Sequence, residues 1–335
     1  MRYAKQVGLL QRMRAKTIPL YVTMEITNRC NLSCHHCMRD STAGNELTFC
    51  EVKHVIDQVA EAGALHLIFT GGEPFLRKDF LHIASYARQR QFCIHVFSNG
   101  TLITEAVADK IGDLDIDIRI SLHGASAEAH DKVTGVPNSF CRTVGAIQWL
   151  VERGVHVEVG TVAMKSTFEE LDSIQSFCNE LGVADWHTSF MVFPTDTGSS
   201  QPLQYRLSDD EFRQVIHHYP EDLREREDCD VDLLPMCGAG IFSCAISASG
   251  DVFPCGQLRI AAGNLRNRSF SDIWGSSPIL QRIRSLTWDD FSQCRDCPLL
   301  FNCMRCAGLA YQEHGDMCLP ALEACRLARI SCERR

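Results

Sequence analysis

Between Leu20 and about Phe193, short β-branched runs alternate with longer segments of helical period, and no other feature restricts the possible folds of this chain as strongly. Alternation of this kind predicts an α/β domain on a parallel sheet. The strand candidates are Leu20 to Ile26, Leu65 to Phe69, Cys93 to Phe97, Ile116 to Ser121, Val155 to Ala163 and Trp186 to Val192. Between them Val52, Val55, Ile56 and Val59 recur at helical spacing, as do Val144, Ile147 and Val151, and Leu171, Ile174, Cys178 and Leu181. These stripes are expected to face the core. A closed barrel of this type needs eight βα units. The pattern stops after the sixth strand, at the turn-rich stretch Pro194 to Pro202, so a partial (βα)6 barrel, open on one side, is expected. Ligand-binding residues of such sheets collect in loops beyond the strand C-termini.

After Pro202 the composition changes. Ser208 and Glu211 have the form of a capping box, and a cysteine-rich tail then runs to Cys332. The expected organisation is an extension over 1–19, the barrel over 20–193, a linker and helix over 194–230, and a small cysteine-rich domain over 231–335. The net charge of −9 argues against nucleic acid as a partner, because polyanion binding relies on clustered Lys and Arg. No signal-peptide pattern and no apolar run of roughly 20 residues is present, so no membrane span and a cytoplasmic location are expected. Under that expectation the 18 cysteines point to metal or redox chemistry and away from disulfides.

Cys30, Cys34 and Cys37 are spaced C-x3-C-x2-C directly after the first strand candidate. Three thiolates this close can hold a [4Fe–4S] cube and leave one iron open to a small molecule. A structural zinc site normally closes its four-ligand tetrahedron, and only His35 and His36 lie inside this loop. The run from Glu25 to Cys37 resembles the cluster loop of the radical S-adenosylmethionine (SAM) enzymes. The resemblance implies that SAM chelates the open iron and is cleaved to a 5′-deoxyadenosyl radical, with the protein supplying binding and orientation. It further implies that Gly71, Gly72 and Glu73 of Thr70-Gly-Gly-Glu-Pro74 bind the amino group of SAM, the glycines by close backbone approach and Glu73 as an acceptor. Ser98 and Asn99 after the third strand and Ser121 after the fourth match positions that contact SAM ribose and carboxylate. His36 stands where relatives carry an aromatic residue beside the adenine. The fifth strand around Val159 to Ala163 reads either as adenine lining or as core.

A second cysteine group follows: Cys237, Cys244 and Cys255, then Cys294, Cys297, Cys303 and Cys306, with Cys318 and Cys325 beyond. With Gly250 to Cys255 and Ile273-Trp274 it resembles the SPASM extension of radical SAM peptide-modifying enzymes. This implies two auxiliary [4Fe–4S] clusters, one on Cys237, Cys244, Cys255 and Cys306, the other on Cys294, Cys297, Cys303 and Cys325. Only Met304 and Arg305 separate Cys303 from Cys306, one residue fewer than usual in the family, and Cys318 competes with Cys325. A zinc ribbon is the rival reading of the spacing. Cys50, Cys93, Cys141, Cys178, Cys229, Cys318 and Cys332 are left over, most of them expected as small core residues.

The resemblance implies oxidation or cross-linking of a ribosomally made peptide, with a flavodoxin or ferredoxin-like electron donor. About twenty residues precede the first strand, so a separate leader-recognition protein is expected. Sulfatase maturases place a catalytic Asp after the cysteine aligned with Cys255, where this chain has Gly256, and no general base is evident among Asp251, Glu158 and His187. The alternative is tetrapyrrole side-chain chemistry, for which Arg119, Arg206 and Arg259 are candidates to form a basic pocket. A non-enzymatic iron–sulfur electron carrier would explain the cysteines but not the glycine and Ser-Asn-Gly turns. P-loop, HExxH and GxSxG motifs are absent.

Overall fold

Residues 16–39, 44–219 and 237–333 are described in the computed structural model. Strands β1 (Tyr21–Glu25), β2 (His66–Thr70), β3 (Cys93–Ser98), β4 (Asp117–Ser121), β5 (Val157–Val162) and β6 (Asp185–Ser189) lie side by side in chain order, all parallel. Helices α1 (Phe49–Glu61), α2 (Phe80–Gln89), α3 (Glu105–Asp113), α4 (Ala127–Thr134), α5 (Ser139–Glu152) and α6 (Leu171–Leu181) fill the crossovers. Their starts follow local chemistry. Thr48 and Glu51 close a capping box on α1, Thr104 caps α3 and Ser126 caps α4, each satisfying a backbone N–H that a helix start leaves open.

Strand alternation separates two faces. Val22, Met24, Leu67, Phe69, Ile94, Val96, Ile118, Ile120, Val157 and Val159 are buried beneath the helices, against Val52, Ile56, Ile83, Ile147 and Ile174 among others. The other face lines the lumen and carries Tyr21, Glu25, His66, His95, Phe97, Asp117, Arg119, Glu158, Asp185 and His187, none of them in that apolar core. The stripes expected from the sequence fall on the buried side, with Val144, Val151 and Leu181 only partly covered.

A seventh parallel strand was not expected. After α7 (Asp209–Val215), which opens with the Ser208–Glu211 capping box, β7 (Ser243–Ile246) pairs with β1, Tyr21 opposite Ser243 and Thr23 opposite Ala245. Antiparallel β8 (Asp251–Phe253) and β9 (Gly263–Asn264) extend the same sheet, whose order is β6-β5-β4-β3-β2-β1-β7-β8-β9. The cysteine-rich segment therefore shares the barrel's sheet. The boundary expected near residue 230 and Cys229 lie outside the described residues. Helices α8 (Phe270–Ser276) and α9 (Pro278–Ser285) cover β7, and α10 (Ala307–His314) and α11 (Leu322–Cys332) join Phe190, Phe212 and Tyr219 in a second core. No helix among the described residues is long and apolar enough to cross a membrane.

Candidate functional site

The loop carrying Cys30, Cys34 and Cys37 springs from the C-terminal end of β1 and is pinned on two sides. Ser33 N donates to Thr134 O at 2.9 Å and His35 N to Val133 O at 3.2 Å, while Thr27 Oγ1 donates to Glu46 at 2.7 Å. The three thiols sense one another. Burial pushes Cys34 up to about 12, and the neighbouring Cys37 and Cys30 add to the rise. A trio that resists becoming thiolate alone is one that a cationic iron centre stabilises.

Beside the loop, the Gly71–Gly72 turn is in backbone contact with it: Gly72 N donates to Thr27 O and Glu73 N to Arg29 O, both at 2.8 Å. A Cβ on Gly71 would sit 2.2 Å from Thr27 O, and one on Gly72 2.1 Å from Arg29 O. Close approach was expected toward a ligand, and the structure shows it toward the cluster loop. Glu73 is fully buried. It accepts from Ser98 Oγ at 2.9 Å, Asn99 N at 2.8 Å and Phe75 N at 3.2 Å, and burial raises its carboxyl to about 7. It thus ties the glycine turn to the Ser98–Asn99 turn. Asn99 Nδ2 reaches Asn31 Oδ1 at 3.0 Å and approaches Cys30 Sγ at 3.9 Å, which brings the third strand's turn to the cluster loop. Ser121 ends β4 on the lumen side opposite Gly160.

His36 packs edge-on against His123, with ring centres 4.7 Å apart, and His123 stacks near His130. Burial holds His36 down at about 4, and Nδ1 of both His36 and His123 is buried without a partner.

In the cysteine-rich segment, Cys255 is close to Cys237 and Cys306, and Cys306 to Cys237. Cys303 is close to Cys325, Cys294 and Cys297, and Cys325 to the latter two. Cys318 neighbours Asp316 and Asp290 instead. Cys244 corrects the expected ligand set. It sits opposite Val22 on the helix side of β7, fully buried beside Arg284, and among the described residues no other thiol acts on it. Strand alternation turns it away from the other three. Cys244→Ala is therefore expected to keep about twelve irons per chain, four for each cluster, at a stability loss of about 1 kcal/mol. Cys255→Ala should lose about four irons; iron analysis of the reconstituted proteins separates the two.

An ion cluster links the two cysteine regions. Glu25, 2 % exposed, receives Arg39 Nη1 at 2.7 Å and Arg259 Nη1 at 2.6 Å, and Asp196 Oδ2 lies 3.0 and 3.4 Å from the same two arginines. Asp196 N also donates to Met38 O at 2.8 Å. Asp196 Oδ1 is buried with no partner.

Residues 24–178 match the Radical SAM superfamily and residues 237–298 match an iron–sulfur cluster-binding domain, SPASM. The AdoMet-dependent heme synthase of Methanosarcina barkeri is 30 % identical over 332 residues, spanning 89 % of this chain and 94 % of that protein. The chain is a radical SAM enzyme with a SPASM domain. Its cofactors are SAM and [4Fe–4S] clusters. The mycofactocin maturase MftC of Mycobacterium tuberculosis is 29 % identical across 81 % of this radical SAM enzyme and 74 % of the maturase. Native anSMEcpe with bound AdoMet shares the fold with a TM-score of 0.73 at 16 % identity, covering 94 % of this chain and 96 % of that one. Streptococcus suis SuiB bound to its precursor peptide SuiA superposes with a TM-score of 0.72 at 17 % identity, over 96 % and 79 % of the two chains.

Proposed function

We propose that this radical SAM/SPASM enzyme oxidises or cross-links a ribosomally made peptide held in the barrel lumen. The observation that carries the reading is the charge state of the lumen. Each arginine that sequence offered for a carboxylate-rich tetrapyrrole already faces an acidic partner. Arg119 Nε donates to Glu158 at 2.8 Å, Arg259 is engaged by Glu25 and Asp196, and Arg206 donates to Val192 O with Glu313 and Glu323 at 3.8 Å. Glu25, Asp117, Glu158, Asp185 and Asp196 outnumber Arg39, Arg119 and Arg259, with His95 beside Asp117 and His187 beside Asp185. Such a surface suits the N–H donors of a peptide better than a polycarboxylate.

SAM, when bound, supplies a 5′-deoxyadenosyl radical able to take hydrogen from a saturated carbon. The chain's own residues orient the substrate and receive its proton. Asp196, held by two arginines with Oδ1 unpartnered, is suited to accept from a substrate N–H. Asp196→Asn is expected to lower peptide product about a hundredfold while iron content and reductant-dependent SAM cleavage persist. Unchanged product yield, measured by mass spectrometry, would remove Asp196 from the reaction. A flavodoxin or ferredoxin-like donor, a separate leader-recognition protein and a cytoplasmic setting belong to the same proposal.

Tetrapyrrole side-chain oxidation is the second reading, favoured by the near-complete coverage of the Methanosarcina heme synthase. One anaerobic assay separates the two. Reduced enzyme and SAM are offered either any short peptide found to be encoded beside the gene or a porphyrin bearing propionates, and product masses are compared. A mass change in the peptide alone supports the proposal; a change in the porphyrin alone replaces it with the second reading.

A further inference from the structure

Far from the cysteine loops in sequence, Asp172 in the first turn of α6 meets His217 and His218 in the 3-10 turn that follows α7. Both imidazoles direct Nε2 at the same carboxylate oxygen, His217 at 3.0 Å and His218 at 2.9 Å from Asp172 Oδ1. All three donor atoms lie within 4.8 Å of one another. Neighbouring residues of a 3-10 turn ordinarily point about 120° apart. Here the two rings instead approach to 4.1 Å between centres with a tilt of 42°. Packing enforces part of that convergence. His218 is only 5 % exposed at its side chain and meets the Trp186 ring edge-on at 5.2 Å, so one ligand is fixed on the fold. His217 and Asp172 are open to solvent, at 43 % and 76 %.

The donor atoms select a class of ion, and the two Nε2–Oδ1 contacts, 3.0 and 2.9 Å, are hydrogen bonds that a shared cation can replace. Two imidazoles and one carboxylate on one face form the donor set of borderline divalent cations such as Zn²⁺, Ni²⁺, Co²⁺ and Fe²⁺, and are ill suited to Mg²⁺ or Ca²⁺, which take oxygen ligands. Water can complete the shell, because Asp172 also lines an open depression of about 410 Å³.

We infer that Asp172, His217 and His218 bind one borderline divalent cation, separate from the cysteine sites, and clasp the last barrel helix to the segment after α7. The test uses the iron-loaded protein. Excess Zn²⁺ is added anaerobically, removed by gel filtration, and zinc and iron are counted in the wild type, Asp172→Asn and His217→Ala. The expected result is one zinc per wild-type chain above the count in either variant, with iron unchanged and affinity roughly a hundredfold weaker in His217→Ala. Mg²⁺ in place of Zn²⁺ should not be retained. His217 is exposed, so His217→Ala keeps the fold; His218, packed on Trp186, is left in place for that reason. Equal zinc in the three proteins overturns the inference, as does a zinc-dependent rise in melting temperature that is the same in wild type and His217→Ala.

Discussion

Replacing Cys30, Cys34 and Cys37 together with alanine abolishes reductant-dependent formation of 5′-deoxyadenosine, at least about a thousandfold below the wild type, and lowers iron from about twelve to about eight atoms per chain. The expectation follows from how little else the loop contributes. The three thiols depend on one another and on burial, and no described cysteine of the later group acts on Cys34. Beside the contacts of Leu32 N and Asn99 Nδ2 with Cys30 Sγ and of Arg39 N with Cys37 Sγ, the loop's shape is held by backbone bonds from Ser33 and His35 to α4 and by Thr27 to Glu46, which do not involve a thiol. The variant should therefore fold and keep its auxiliary iron while losing the reaction's starting point. The checks are iron analysis and chromatography of the nucleoside. Appreciable 5′-deoxyadenosine from the triple variant contradicts the assignment.

Gly72→Ala is expected to be nearly as damaging, through shape alone. Its new Cβ would lie 2.1 Å from Arg29 O and 2.5 Å from Arg29 C, backbone atoms that cannot rotate aside. Relief requires parting the glycine turn from the cluster loop, which removes the bonds from Gly72 to Thr27 and from Glu73 to Arg29. Glu73, buried with three donors, then shifts with the turn. A loss of about 3 kcal/mol or more is expected, with SAM cleavage falling with it. Gly71→Ala should behave alike, since it adds a φ of +132° to a 2.2 Å clash. Gly275→Ala is the control. It lies in α8 with nothing within 4 Å of the added carbon, and alanine there should be neutral or stabilising by up to about 1 kcal/mol. Chemical denaturation of the three variants, followed by circular dichroism, separates clash from general glycine loss.

The six barrel strands were readable because each buries one face under helices, which writes alternation into β1 to β5 and helical stripes between them. β7 was not, since Ser243 to Ile246 is four residues long within a glycine- and cysteine-rich run, and a strand added from a distant segment leaves no local period. The same blindness produced the Cys244 error: spacing counts residues but does not tell which side of a strand a thiol faces. The first cysteine trio was legible because its ligands lie within one loop. The ion cluster was invisible because it joins residues 157 and 234 positions apart, Arg39 with Asp196 and Arg259 with Glu25. Glu73 was visible as a residue, but its bonds to Ser98 and Asn99 were not, because they form only when the third strand's turn folds over it.

The central claim is that the N-terminal trio leaves one iron for SAM. It is tested most directly by electron–nuclear double resonance on the reduced, iron-loaded protein with SAM labelled at its amino nitrogen. The account predicts a nitrogen coupling on one cluster that disappears in the Cys30, Cys34 and Cys37 variant. An unchanged spectrum on adding SAM, with no coupling in the wild type, would contradict it.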